Sequence, residues 1–204
     1  MELSVILYLA LLAAVGVSRV IELEVSSNRR RRLVEQGVSQ SPEPGFPAMV
    51  AFHAGVPVAA ALEVLGFHRR FWPALGYPVF GLFLAAVGVR LWAIRSLGRH
   101  WNVRVMASSC LGVVSTGPYR FVRHPNYAAV FMEMTSLPLI HTAWVTAVVS
   151  APIHWLLLRR RIAIEDAVLL ADPVYREIMS GKPLLLPRAR FLFARRQGLA
   201  ARKA

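Results

Sequence analysis

Acidic residues are scarce in this chain. Only 11 of its 204 residues are Asp or Glu, against 24 Lys and Arg, which gives a formal net charge of +13. Charged residues of both signs total 17%, whereas a soluble domain carries about a quarter. Cysteine is almost absent. The single Cys110 excludes an intrachain disulfide and any cysteine-based zinc spacing. No Gly-rich turn follows a strand-like run, which excludes a soluble Rossmann-type nucleotide site. What remains is apolar: 56% of residues are hydrophobic and the mean hydropathy is +0.48. Apolar and basic together describe a polytopic membrane protein with basic faces. A nucleic-acid binder would carry its arginines on a soluble fold; here they fall between and after apolar runs.

Five runs are candidates for membrane spans, each needing about 20 apolar residues. The first, 3–23, has Arg19 as its only basic residue. A cleaved signal peptide wants a basic start, and this chain opens Met1-Glu2-Leu3, so 3–23 is expected to remain a span. The second, 46–66, is interrupted by His53 and Glu63; the third, 73–94, carries Arg90. The fourth, 124–140, is short, and the fifth, 143–158, follows after a link that permits only a tight antiparallel hairpin. The expected fold is therefore an all-α integral membrane protein with about five transmembrane helices.

The arginines orient it. Arg29 to Arg32, then Arg95, Arg99, Arg104, Arg120 and Arg123, then Arg159 to Arg161 and the tail all fall on one side of a five-span chain. Arg69 and Arg70 occupy the other. The positive-inside rule makes the rich side cytoplasmic, with the amino terminus outside and the carboxyl terminus inside. Three regions follow: 1–95 with three spans, 96–187 with two spans and the chemistry, and 188–204 as a basic tail attracted to anionic lipid.

The segment Gly117-Pro118-Tyr119-Arg120-Phe121-Val122-Arg123-His124-Pro125-Asn126-Tyr127 sets titratable side chains at the mouth of the fourth span. Charges there are costly to bury without a task. The connection 39–47 is proline-rich and not helical throughout. The connection 96–122 is too long and too mixed for mere linking. The fifth span has no breaker before Pro173, so a helix over 143–172 would be roughly 45 Å long and project into the cytoplasm with Glu165 and Asp166. Hairpin topology puts Arg123, His124 and Tyr127 opposite Glu165 or Asp166. The expected cytoplasmic pocket is thus formed by the last two helices, the 96–123 connection and the carboxyl-terminal segment.

Gly117-Pro118-Tyr119 followed by Arg123-His124-Pro125-Asn126-Tyr127 resembles the Arg-His-Pro-x-Tyr signature of the isoprenylcysteine carboxyl methyltransferase family. Arg161-Ile162-Ala163-Ile164-Glu165-Asp166-Ala167-Val168-Leu169 is similar to that family's acidic-pair helix, and Tyr175 follows at the family offset. The resemblance covers 95–187. It departs from the pattern at Asp166, usually Glu, at Ile178, often Tyr, and at Ala128 and Ala129, where Gly is common. Arg19, Glu22, His53 and Leu97-Gly98-Arg99-His100-Trp101-Asn102 further resemble a bacterial branch that methylates hydroxyls of alkylpyrones or alkylresorcinols, which would place the chain in an inner membrane.

The resemblance implies S-adenosylmethionine as methyl donor, with Tyr119, His124, Asn126, Tyr127, Glu165 and Tyr175 around it. Glu165 suits the ribose hydroxyls or the ammonium group; His124 and Tyr127 suit the carboxylate or the adenine border. Arg123, always charged, is the electrostatic candidate for catalysis. Glu133, an intramembrane carboxylate, is the candidate base or substrate contact. Trp101, Asn102 and His53 are assigned to the substrate, a lipophilic or prenylated molecule arriving from the bilayer. Duller accounts stand beside these: Arg123 snorkelling to headgroups, a solvated Arg161–Glu165 pair, and an Arg19–Glu22 pair. His53, His141 and His154 lack ligand spacing, so no metal is expected. Two rival readings are an NADPH-dependent membrane reductase and a non-enzymatic lipid-binding protein.

Overall fold

The computed structural model describes residues 2–107 and 112–187; Cys110 and the basic tail 188–204 lie outside the described residues. Helix α1, Leu3–Glu35, is 33 residues long, or about 50 Å at the α-helical rise. It therefore outruns the expected span and carries Arg29 to Arg32 beyond the apolar run. It stops at Gly37, whose φ of +81° needs no Cβ. There the Gly37 and Val38 amides bond back to the Val34 and Leu33 carbonyls at 2.9 and 3.0 Å. That reversal buries Val38 and Leu33 against Met106. It also sets strand β1, Ser39–Gln40, antiparallel to β2, Met106–Ala107. Thus the end of α1 fixes where the distant 96–123 connection lies.

Helices α2, Phe46–Gly66, and α3, Pro73–Leu97, each open with a proline in the first turn, where a missing amide costs nothing. Helices α1, α2 and α3 are long and apolar enough to cross a membrane. Large aliphatics such as Leu7, Val17, Leu62, Leu84 and Val148 stay exposed around the bundle. Such a surface suits hydrocarbon as solvent, so the chain is an integral membrane protein.

Helix α4, Pro125–Leu139, is only 15 residues. It is the inner helix, packed on α3, α5 and α2, and its Val130, Met134 and Leu137 join Tyr8, Leu12, Ala60 and Phe83 in one core. Helix α5, Trp144–Leu169, returns antiparallel. Their shared turn meets the α2–α3 connection: Thr142 donates to the Arg70 carbonyl at 2.8 Å. The Glu63 carboxylate, which only interrupted an apolar run in the sequence, caps α5 by accepting from the Val145 and Thr146 amides at 3.1 and 2.7 Å. Helix α5 ends at Leu169, three residues short of the helix expected to Asp172. Asp172 instead accepts from the Val174 and Tyr175 amides and starts a new helix, α6, Pro173–Met179.

Four charges meet between α1, α3 and α4, with Arg90 and Glu133 buried and Arg19 and Glu22 half-buried. Arg19 pairs with Glu22 at 3.2 Å, as expected, but also with Glu133; Arg90 pairs with Glu22 and reaches Glu133 at 3.5 Å. Two cations and two anions cancel, which is what allows Glu133 to be 1% exposed. Removing one anion leaves a buried cation uncompensated. Glu133→Gln is expected to cost roughly 3–5 kcal/mol and to lower the melting temperature in detergent more than Glu22→Gln, whose side chain is 20% exposed. Equal melting temperatures for the two variants would contradict this account of the cluster.

Candidate functional site

The signature segment folds around Gly117. Its φ is +58°, and a Cβ there would collide with the Ser96 side chain. The short 3₁₀ turn Gly117–Arg120 then drives Tyr119 inward against Ala93 and Met179. Past it, the Arg123 and His124 amides donate to the Pro183 and Leu184 carbonyls, both at 2.9 Å. The chain after α6 is thereby tied alongside the signature.

The acidic pair divides its partners. Glu165 and Asp166 are successive on α5 and so point about 100° apart. Asp166 takes His124, Nε2 to Oδ1 at 2.8 Å, and Arg123, at 3.2 Å. Glu165 accepts the Tyr127 hydroxyl through Oε2, while its Oε1 stands 4.0 Å from His124 Nδ1. The sequence allowed either carboxylate for any of these groups; the geometry distributes them.

Arg161 does not pair with Glu165. Its Nε donates to the Tyr127 oxygen at 2.7 Å, Nη1 to Glu43 at 2.7 Å, and Nη2 to the Val103 carbonyl. Glu43 also accepts from the Val105 amide at 2.6 Å. The sequence offered Arg161 only as a partner of Glu165, and Glu43 did not stand out. Arg161 ends a run of three arginines, and Glu43 sits in the proline-rich connection. The one available signal was that Pro42 and Pro44 flank Glu43 and keep it out of any helix. Nearby, the Asn102 side chain accepts from Ser26 at 2.9 Å, and Trp101 is buried with the Arg29 guanidinium 5.4 Å from its ring centre.

Two cavities adjoin these groups. One, about 480 Å³, is lined by Tyr119, Arg123, His124, Glu165 and Tyr175, with Val113, Val114, Val168 and Leu169 as its apolar wall. The other, about 650 Å³, is a cleft between α1 and α2, running from Leu9 and Ala61 to Leu23 and Phe46 and including His53 and Arg161. Trp101, Asn102, Asn126 and Tyr127 line both. Every expected site residue thus borders a cavity except Glu133, which lines neither and is held by Arg19 and Arg90. Burial first, and then the Glu165 charge, push the Tyr119 and Tyr175 phenols well above their usual range, so both remain proton donors. Asn126 Oδ1 is buried without a hydrogen-bond partner. Among the described residues no group of three or more His, Cys, Asp or Glu could hold a metal.

The Gly117 geometry is open to test by comparison with Gly16, which lies in mid-helix with nothing within 4 Å of its would-be Cβ. Gly117→Ala is expected to lower stability by roughly 1–2 kcal/mol from backbone strain alone. Gly16→Ala is expected to be neutral or stabilising. Thermal melting of both variants reads the difference in sign.

The sequence model of the isoprenylcysteine carboxyl methyltransferase (ICMT) family matches residues 79–171, from α3 through the end of α5. An uncharacterized protein of Bacillus subtilis, YpbQ, is 31% identical over 162 residues, 78% of this chain and 94% of that protein. An uncharacterized protein of Haemophilus influenzae is 26% identical over 156 residues, 74% of this chain and 88% of that protein. Their names carry no activity, but the family match takes in both the signature turn and the acidic pair on α5. The chain belongs to the isoprenylcysteine carboxyl methyltransferase family, a family of membrane methyltransferases.

Proposed function

We propose that this protein is an S-adenosylmethionine-dependent O-methyltransferase acting on a lipophilic acceptor that comes from the bilayer. The observation that carries the reading is the pair of cavities, one lined by tyrosines and by charges of both signs, one largely apolar, meeting at Trp101, Asn102, Asn126 and Tyr127. A transfer enzyme needs such an arrangement, because holding donor and acceptor in line supplies much of the acceleration. In this reading the chain crosses the membrane five times, with α4 and α5 as the last two crossings. The amino terminus is outside, and the arginine-rich end with the Glu165 cavity is cytoplasmic, in a bacterial inner membrane. Residues 1–95 form the acceptor side, 96–187 the catalytic region, and 188–204 a basic tail.

The residues of the Glu165 cavity fit the donor. Its volume lies in the usual ligand range. Bound there, S-adenosylmethionine would supply a methyl group activated by a sulfonium cation. Glu165 Oε1 provides a negative charge suited to that cation, to the ammonium group or to ribose hydroxyls. The Tyr119 and Tyr175 phenols are fixed donors beside it. Asn126 Oδ1, buried and unpartnered, is an acceptor awaiting a donor group. Asp166 holds His124 and Arg123 at the cavity wall, where Arg123 places a permanent positive charge. On the other side, Trp101, Asn102 and His53 border the acceptor's cleft. The acceptor's reactive oxygen is a prenylcysteine-type carboxylate or the hydroxyl of an alkylpyrone or alkylresorcinol.

Calorimetry on the detergent-purified protein tests the donor assignment. The wild type should bind S-adenosylmethionine and not NADPH. Glu165→Gln and His124→Ala should each weaken donor binding at least tenfold, the loss of about one charge-assisted hydrogen bond, while melting temperatures confirm folding. Wild-type affinity for NADPH alone, or folded variants that bind the donor as well as the wild type, would contradict the proposal.

A further inference from the structure

Methylating a hydroxyl releases a proton, and among the described residues the cleft offers it no carboxylate that is free. The one lining carboxylate among them, Glu22, is held by Arg19 and Arg90. Glu165 borders only the other cavity. Of the four residues that line both cavities, Tyr127 is the one whose hydroxyl can give up a proton while its oxygen takes another.

Its hydrogen bonds have a direction. The Tyr127 hydroxyl spends its one proton on Glu165 Oε2. Its oxygen has two lone pairs, and one accepts from Arg161 Nε at 2.7 Å. Arg161 cannot take that proton away, because a guanidinium stays charged, and its other two nitrogens are fixed on Glu43 and Val103. One lone pair of the Tyr127 oxygen is left over, on a residue that borders the cleft.

We propose that Tyr127 is a proton relay between the lipid-facing cleft and the cytoplasm-facing cavity, and that the acceptor carries a hydroxyl on a long-chain phenol or enol. The inference rests on the methyltransferase reading above and deepens it. The acceptor O–H donates to the open lone pair of Tyr127. As the acceptor oxygen attacks the methyl carbon of the sulfonium donor, an O–C bond forms. The C–S bond breaks, leaving its electron pair on sulfur. The acceptor's proton moves to the Tyr127 oxygen, and the tyrosine's own proton moves to Glu165. The sulfonium charge and the Glu165 charge disappear together, so the step is neutral overall. Glu165, 26% exposed, then releases its proton on the cytoplasmic side. Arg161 is a positioning residue: it sets the orientation of the Tyr127 hydroxyl and favours the transient negative charge on its oxygen. A carboxylate acceptor is already ionised and would leave this relay without a task.

The probes are pentadecylphenol and its methyl ether in mixed micelles, with the full chain in wild-type and Tyr127→Phe forms. In donor-free protein the wild type should bind the phenol up to about tenfold more tightly than the ether, one neutral hydrogen bond. Tyr127→Phe should bind the two alike. Equal binding by the wild type overturns the relay. In single turnovers with S-adenosylmethionine, Tyr127→Phe should be about 10²–10³-fold slower near neutral pH and recover as rising pH ionises the phenol unaided. A purely structural role would give no such recovery. The wild type should show a normal solvent deuterium isotope effect, a measurement that does not depend on the variant folding. Wild-type rates in Tyr127→Phe across pH, no isotope effect, or transfer to palmitate with none to the phenol would each overturn the proposal. Donor affinity in the same samples keeps the two readings apart. A wild type that fails to bind the donor defeats the methyltransferase reading, whereas unchanged donor affinity with a failed phenol–ether difference defeats the relay alone.

Discussion

The Arg161 guanidinium is the contact on which the arrangement of the site depends. One planar group holds α5, α4, the proline-rich connection and the 101–105 segment at a single point through Tyr127, Glu43 and Val103. Those are the elements that divide the two cavities. A lysine would not replace it, because three acceptors at fixed angles match a guanidinium fork and not a point charge. Half-buried beside a tyrosine hydroxyl and a carboxylate, the cation is compensated locally, which is the condition for placing it at the mouth of an apolar cleft.

The same rule of compensated burial shapes the rest of the bundle. Arg19, Glu22, Arg90 and Glu133 neutralise one another between three helices, and Glu63 satisfies the first amides of α5 at the opposite end. These charged groups inside the apolar runs are thus tied to helix junctions. Helix α4, short and wrapped by α2, α3 and α5, is where these ties converge. It carries Asn126 and Tyr127 at its start and Glu133 two turns further on. The helix that presents the site is anchored by charge pairs as well as by Met134 and Leu137 in the core.

Much of this was legible in the sequence, and what was not has physical reasons. The helices followed from apolar run lengths. The meeting of His124 and Tyr127 with the acidic pair followed from hairpin topology. The division of labour between Glu165 and Asp166 did not, because it depends on a 100° rotation along α5 that no spacing reveals. Arg161 and Glu43 were hidden because their partnership spans 118 positions and one partner lies in an irregular segment. Glu133 read as a site because an intramembrane carboxylate usually is one. Its arginine partners on α1 and α3 were visible singly but not as a group. The excess length of α1 and the new helix at Asp172 turn on terminal contacts, the Gly37 reversal and the Asp172 cap, which periodicity does not register.

The central claim is that donor and acceptor occupy different cavities and meet at the wall formed by Trp101, Asn102, Asn126 and Tyr127. The most direct test is an experimental structure of the chain with S-adenosylhomocysteine and pentadecylphenol bound together. The account predicts the nucleoside beside Glu165 and Tyr175, its sulfur facing Asn126 and Tyr127, and the alkyl chain between α1 and α2. A nucleoside lodged between α1 and α2, or a sulfur turned away from that wall, would contradict it.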